Sequence, residues 1–195
     1  MFDQYNEIFV QNDTRLKSLG RIYSITSDKK FIGTIEESPE STKNLANQLL
    51  KLISFYSAVS IELTILDKDA NVLGIIKKEK GFYKDFSLFN QNGQQLATIK
   101  SSVKVKSPSL TVVDKNENPI IHAVGGYGAT DFKITEEKSN QQISSIKRRS
   151  VVYQTIKENL LNDDGYYIDN TNPNKLTTLA LIAMAIVIDI YFFNN

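Results

Sequence analysis

An all-β domain of about ten to twelve strands, closed on itself and finished by one wholly apolar helix, is the fold class this sequence predicts. Three observations carry the prediction. Across residues 61–147 an apolar-rich strand, a polar turn and a second strand bearing Lys or Ser recur, the signature of hairpins. The turns open at Asp67, Asn90, Asp114 and Glu136, so their starts lie 23, 24 and 22 residues apart. The chain then ends on residues 176–193, which are almost all apolar.

Each element can be justified in order. Ser27, Asp28, Lys29 and Lys30 form an early turn between the strands 22–25 and 31–35. Leu45, Leu49, Leu52, Ile53 and Tyr56 recur at spacings of three and four, which predicts an amphipathic surface helix over 41–56. The turns at 67–71, 90–93, 114–119 and 136–140 then punctuate four further hairpins. Asn92-Gly93 is the sharpest of these signals, because a two-residue turn matched to strand twist needs positive φ at both central positions. Five hairpins with their flanking strands exceed what one open twisted sheet holds in a small domain, so the sheet must close as a barrel or a sandwich.

The last segment, 176–193, has no polar face beyond Thr177 and Thr178. A helix apolar all round belongs in a core or a membrane. Its uncharged part, 176–188, is thirteen residues long, nearer to a buried helix than to the roughly 20 residues of a membrane span. Continuing to Phe193 encloses the carboxylate of Asp189, and no basic residue follows. A core helix is therefore expected, with a C-terminal membrane anchor as the alternative.

The 195 residues suffice for a single domain, 1–195, with one sizeable core. Twenty-three Lys and Arg balance 22 Asp and Glu, so no bulk field draws the chain to nucleic acid. With no Cys there is no disulfide framework, thiolate zinc site or Cys nucleophile, and the single His122 has no second His beside it. No catalytic set emerges, and a non-enzymatic protein is expected. The first ten residues include Asp3 and Glu7 and lack the basic and apolar stretches of a signal peptide, which favours the cytoplasm.

Charge is uneven along the chain. Residues 1–76 carry 8 basic and 10 acidic side chains, residues 77–115 carry 8 and 3, and residues 116–195 carry 7 and 9. The middle block holds Lys77, Lys78, Lys80, Lys84, Lys100, Lys104 and Lys106, interleaved with Phe82, Tyr83 and Phe86. Such lysines contribute about 1 kcal/mol each near an anionic lipid surface. Lys104 and Lys106 are expected to share a strand face by period two. Lys147, Arg148 and Arg149 form the densest basic run, although neighbours on a strand point to opposite sides, so not all three can meet one ligand. Lysines also keep surface strands soluble and unpaired, which is the plainer account of the block.

A hairpin meander followed by an apolar helix is an unusual order of elements, and at residues 180–193 (Ala-Leu-Ile-Ala-Met-Ala-Ile-Val-Ile-Asp-Ile-Tyr-Phe-Phe) it resembles the phospholipid scramblases of the tubby-like superfamily. Asp131-Phe132-Lys133-Ile134 and Asp163-Asp164-Gly165-Tyr166-Tyr167-Ile168 fall where that family has comparable strands. The resemblance implies a closed barrel of about twelve strands with the hydrophobic helix threaded through its centre, since a barrel of that size needs a guest to fill it. It also implies two functional readings. The first is a lipid-proximal or protein-interaction module, cytoplasmic or peripheral to a membrane, that binds anionic phospholipid headgroups; the second is a membrane-anchored scramblase. The tubby branch binds phosphoinositides through basic barrel residues, but no motif of that site is present here.

Calcium is the cofactor the scramblases suggest, through an acidic loop before the final helix. Asp163, Asp164 and Asp169 occupy that stretch, but counting from Asp163 puts Gly165 and Tyr167 where ligands should stand. No cofactor is expected. Gly125-Gly126-Tyr127-Gly128 lacks a following helix and reads as a turn or bulge, not a phosphate loop. His122 reads as a structural residue at a strand end, and Asp189 as a carboxylate reaching solvent or backbone donors at the barrel mouth.

Overall fold

The computed structural model describes residues 1–14, 20–39, 58–104, 106–149, 165–170 and 174–193. Its elements are β1 (Glu7–Asn12), β2 (Ile22–Ser27), β3 (Lys30–Glu37), β4 (Ile61–Asp67), β5 (Val72–Lys78), β6 (Phe86–Asn90), β7 (Gln95–Ser102), β8 (Ser109–Val113), β9 (Pro119–Gly125), β10 (Asp131–Glu136), β11 (Gln142–Arg149), β12 (Gly165–Asp169) and α1 (Lys175–Ile188), which runs on into a π-helical turn, Asp189–Phe193. Every strand pairs antiparallel with its sequence neighbour, and β1 pairs with both β2 and β12, so the twelve strands close into a barrel. The expected surface helix at 41–56 lies outside the described residues.

Closure gives each strand one inward row. In β1 that row is Ile8, Val10 and Asn12, in β4 Ile61, Leu63 and Ile65, and in β12 Tyr166 and Ile168. The helix α1 fills the space these rows enclose. Leu179 to Ile188 are all at most 1% exposed, which accounts for the absence of a polar face. Asn174 caps the helix by accepting from the Thr177 N–H at 2.8 Å. Thr178 Oγ1 donates to Asn170 Oδ1, and Asn170 Nδ2 donates to the Tyr5 carbonyl, tying the helix start to the N-terminal segment.

The meander gives the barrel two unlike ends. At one, the hairpin end, tight turns join β2 to β3, β4 to β5, β6 to β7, β8 to β9 and β10 to β11. These are the five turns read from the sequence. Three of them repeat one device. Asp67, Asn90 and Asp114 each use a side-chain oxygen to accept backbone N–H groups two and four residues on. Each loop then needs one residue at positive φ: Ala70, Gly93 and Glu117. The Asn92-Gly93 turn is thus not the expected two-residue type. Only Gly93 has positive φ, because the Asn90 side chain closes a longer loop with a register shift beside it. Phe2 plugs this end, and Gly33 makes room for it: a Cβ there would lie 2.6 Å from the Phe2 ring.

The remaining connections, among them the three longest in the chain (13–21, 38–60 and 150–164), join strands at the opposite, long-connection end, where α1 terminates. Its closing π turn spreads three aromatic rings over the barrel mouth. Tyr191 stands edge-on to Phe86 at 5.3 Å between centroids, Phe192 lies 6.2 Å from Phe132, and Phe193 lies 6.5 Å from Tyr166.

Candidate functional site

The long-connection end gathers most of the basic residues singled out by sequence, but it uses them differently. Lys80 and Lys84 are exposed on the β5–β6 connection, and Lys104 and Lys106 on the β7–β8 connection. None of these four forms an ion pair among the described residues. Lys104 and Lys106 do not share a strand face, because β7 has already ended at Ser102 and the chain must turn before Pro108 and β8. The alternation around Val103 mimics a strand, yet Val103 is exposed.

The remaining lysines of the block are engaged. Lys77 pairs with Glu62 across β4 and β5 at 3.0 Å and rests over the Phe89 ring. Lys100 pairs with Glu117. Lys78 points inward and is 3% exposed; its ammonium donates to the carbonyls of Val59, Glu79 and Gly81 at 2.6, 3.0 and 3.0 Å. Burial pulls its pKa down to about 8. It cannot meet a membrane, and instead it pins the two connections that flank it. On β11, Lys147 faces out while Arg148 lies over the Phe193 ring at 3.7 Å, so the alternation expected of that basic run separates these two. Arg149 closes β11.

Beside the four exposed lysines stand exposed apolar side chains. Phe82 and Tyr83 are 55% and 49% exposed on the β5–β6 connection, and Tyr127 is 78% exposed on the β9–β10 connection. The glycines around Tyr127 form a turn with a short 3₁₀ segment and no following helix, as expected. In the sequence Tyr127 stands only as part of the glycine turn, although an aromatic set among glycines, off any strand period, has no core to enter. The β5–β6 connection is held firmly. Tyr191 Oη donates to the Lys84 carbonyl, the Gly81 N–H donates to the Ala58 carbonyl, and the Tyr83 and Tyr191 rings meet edge-on.

Just beneath this surface lies a buried polar cluster. Asp189, 4% exposed, accepts from Tyr23 Oη at 2.8 Å, Tyr166 Oη at 3.0 Å and Asn12 Nδ2 at 3.2 Å. It reaches neither solvent nor backbone donors through these bonds, contrary to expectation, because inward positions of β1, β2 and β12 bring side-chain donors to it. Burial raises its carboxyl above the ordinary range, while the two tyrosine hydrogen bonds and the charges of Arg21 and Arg148 oppose that rise. Arg21 in turn pairs with buried Glu37 at 3.5 Å. The cluster binds the helix end to the barrel wall.

The other candidates sit apart. His122 is in mid-strand on β9 and not at a strand end, because pairing runs on through residue 124, and it sits between Thr111 Oγ1 at 3.1 Å and Glu137 at 3.0 Å. Asp169 closes β12 at the hairpin end, whereas Asp163 and Asp164 lie outside the described residues. Among the described residues, no group of three or more His, Asp or Glu side chains is placed to hold a metal ion.

Comparison with known proteins decides the family. The model of the LURP-one-related (LOR) family matches residues 50–189, well over half of the chain and ending on the buried aspartate. The chain belongs to the LOR family. A solved structure, that of a protein from Arabidopsis thaliana, shares the fold with a TM-score of 0.56 at 11% identity over 96% of each chain. Among curated proteins no relative matches this LOR chain. The family has the tubby-like fold, which the closed twelve-strand barrel with its C-terminal helix matches.

Proposed function

We propose that this LOR protein is a non-enzymatic, cytoplasmic module that docks the long-connection end of its barrel on anionic phospholipid. The observation that carries the reading is the joint exposure of Phe82, Tyr83, Val103 and Tyr127 with Lys80, Lys84, Lys104 and Lys106 on connections at one end of the barrel. Aromatic rings with one apolar and one wet side suit the lipid–water interface. Lysines around them add about 1 kcal/mol each against an anionic surface, screened beyond about 8 Å at physiological salt. Because Lys78 and Tyr191 hold the β5–β6 connection in place, little ordering cost is left for binding.

Vesicle flotation tests this. The protein should float with anionic vesicles and far less with neutral ones, and salt should weaken the binding. Reversing two charges in Lys104→Glu/Lys106→Glu should cost tenfold or more, since two contributions of about 1 kcal/mol are replaced by repulsion. Equal flotation with both vesicle types, or with neither, removes the lipid reading and leaves a protein partner for this surface.

A second reading, a scramblase anchored by its C-terminal helix, draws on one observation: Lys175–Phe193 is long and apolar enough to cross a membrane. It requires the helix to leave the barrel. Burial of that segment in the barrel, together with the Asp189 cluster, favours the docking reading.

A further inference from the structure

A groove of about 640 Å³ opens on the outer wall of β4, β5 and β6, with the β5–β6 connection as its lip. Resting on the lipid-docking reading, we infer that this groove holds one zwitterionic phosphodiester headgroup bearing a primary ammonium, of the ethanolamine type. The volume lies within the range of small-ligand sites. Its charge is of both signs, with three carboxylates against two accessible ammonium groups, of which Lys77 is already paired with Glu62 at 3.0 Å. Glu62, Glu79 and Asp85 supply carboxylates, and Lys77 and Lys84 supply accessible ammonium groups. Lys78 also borders the groove, but its amine is turned to three carbonyls, and so it sets the shape of the lip and makes no ligand contact.

That composition discriminates among headgroups. A multiply charged phosphate would meet three carboxylates across the same groove, at a cost that two lysines do not offset. A zwitterion satisfies both sets, its phosphodiester on Lys77 and Lys84 and its ammonium on the carboxylates. A quaternary ammonium has no N–H to give, and it is recognised by open aromatic faces. The ring that lines the groove among the described residues, Phe89, already lies under the Lys77 ammonium at 5.8 Å. A primary ammonium, by contrast, donates charge-assisted hydrogen bonds to carboxylates. Asp85 suits that role: it is exposed at the groove, and the partial desolvation that raises its carboxyl above the ordinary range is opposed by Lys100 and Lys84, the direction in which a bound ammonium would also act. Position agrees as well: Phe82 and Tyr83 lie on the lip between Glu79 and Lys84, so docking them in the interface brings the groove to headgroup depth.

Two arms test the inference on the full chain. In the first, vesicles of constant anionic content differ only in whether their zwitterionic lipid carries ethanolamine or choline. Binding should be roughly tenfold tighter with ethanolamine, the worth of one hydrogen bond to a charged group. Glu79→Gln/Asp85→Asn should abolish that ratio, even though removing two negative charges strengthens the general attraction to anionic vesicles. In the second arm, soluble glycerophosphoethanolamine and glycerophosphocholine are titrated without membranes, and the amide resonances of Glu62, Glu79 and Asp85 should move with the first only. A vesicle preference lost in the double variant supports a lipid headgroup, with or without the soluble response. Shifts from the soluble compound with no vesicle binding support the groove, assign it a free phosphodiester and overturn membrane docking. A preference that survives the double variant, or no preference together with no shifts, overturns the groove.

Discussion

Deleting residues 176–195 is expected to abolish folding of the whole barrel. Leu179, Leu181, Ile182, Met184, Ile186, Val187, Ile188 and Ile190 are each at most 1% exposed inside the ring of strands. Truncating one such side chain typically costs about 2 to 5 kcal/mol, and domains of this size are stable by only about 5 to 15 kcal/mol in all. Removing eight at once far exceeds that margin. The strands would also face an empty interior too wide for their own side chains to fill. The measurement is thermal or urea unfolding of the truncated chain, read by circular dichroism, with a cooperative transition expected only for the full chain. If the shortened protein still melts cooperatively near the full-length midpoint, the helix is not the core of the barrel.

Much of this architecture was legible because its determinants are local. Hairpin turns announce themselves through Asp67, Asn90 and Asp114, whose side chains bond to backbone a few residues away. The central helix announces itself by composition, since burial on all sides demands apolar residues on all sides. The π turn did not, because nothing in Asp189-Ile190-Tyr191-Phe192-Phe193 distinguishes it from a continuing α-helix. Sites were less legible than strands. Lys77 and Lys78 look alike in sequence, yet one is on the outer wall and the other lies within a cage of carbonyls that depends on residues 59 to 81. The partners of Asp189 lie 177, 166 and 23 residues away, a distance no local pattern spans. One signal was available: Tyr23 and Tyr166 alternate with isoleucines on inward faces, and a buried tyrosine hydroxyl usually has a partner.

Asp189→Ala is expected to destabilise the protein by about 3 to 5 kcal/mol, because three buried donors lose their shared acceptor. Its loss would leave the hydroxyls of Tyr23 and Tyr166 and the amide of Asn12 without this acceptor in a site closed to water. Each buried donor left unmatched costs about 1 to 3 kcal/mol. Adding Tyr23→Phe and Tyr166→Phe to Asp189→Leu should recover much of the loss, because apolar groups of matching shape leave fewer donors to satisfy. Dependence on pH gives a separate test. Burial raises the Asp189 carboxyl above its ordinary 3.8, so the folded state holds this proton more tightly than the unfolded chain does. The contribution is complete below pH 3.8 and is lost as pH rises through the folded value. Over wild type and Asp189→Asn, urea unfolding should therefore show the wild-type advantage shrinking as pH rises above 3.8. An advantage that grows over that range would mean that the hydrogen bonds and arginine charges outweigh burial, and that the carboxylate is held ionised as the anion that locks the helix end to the barrel.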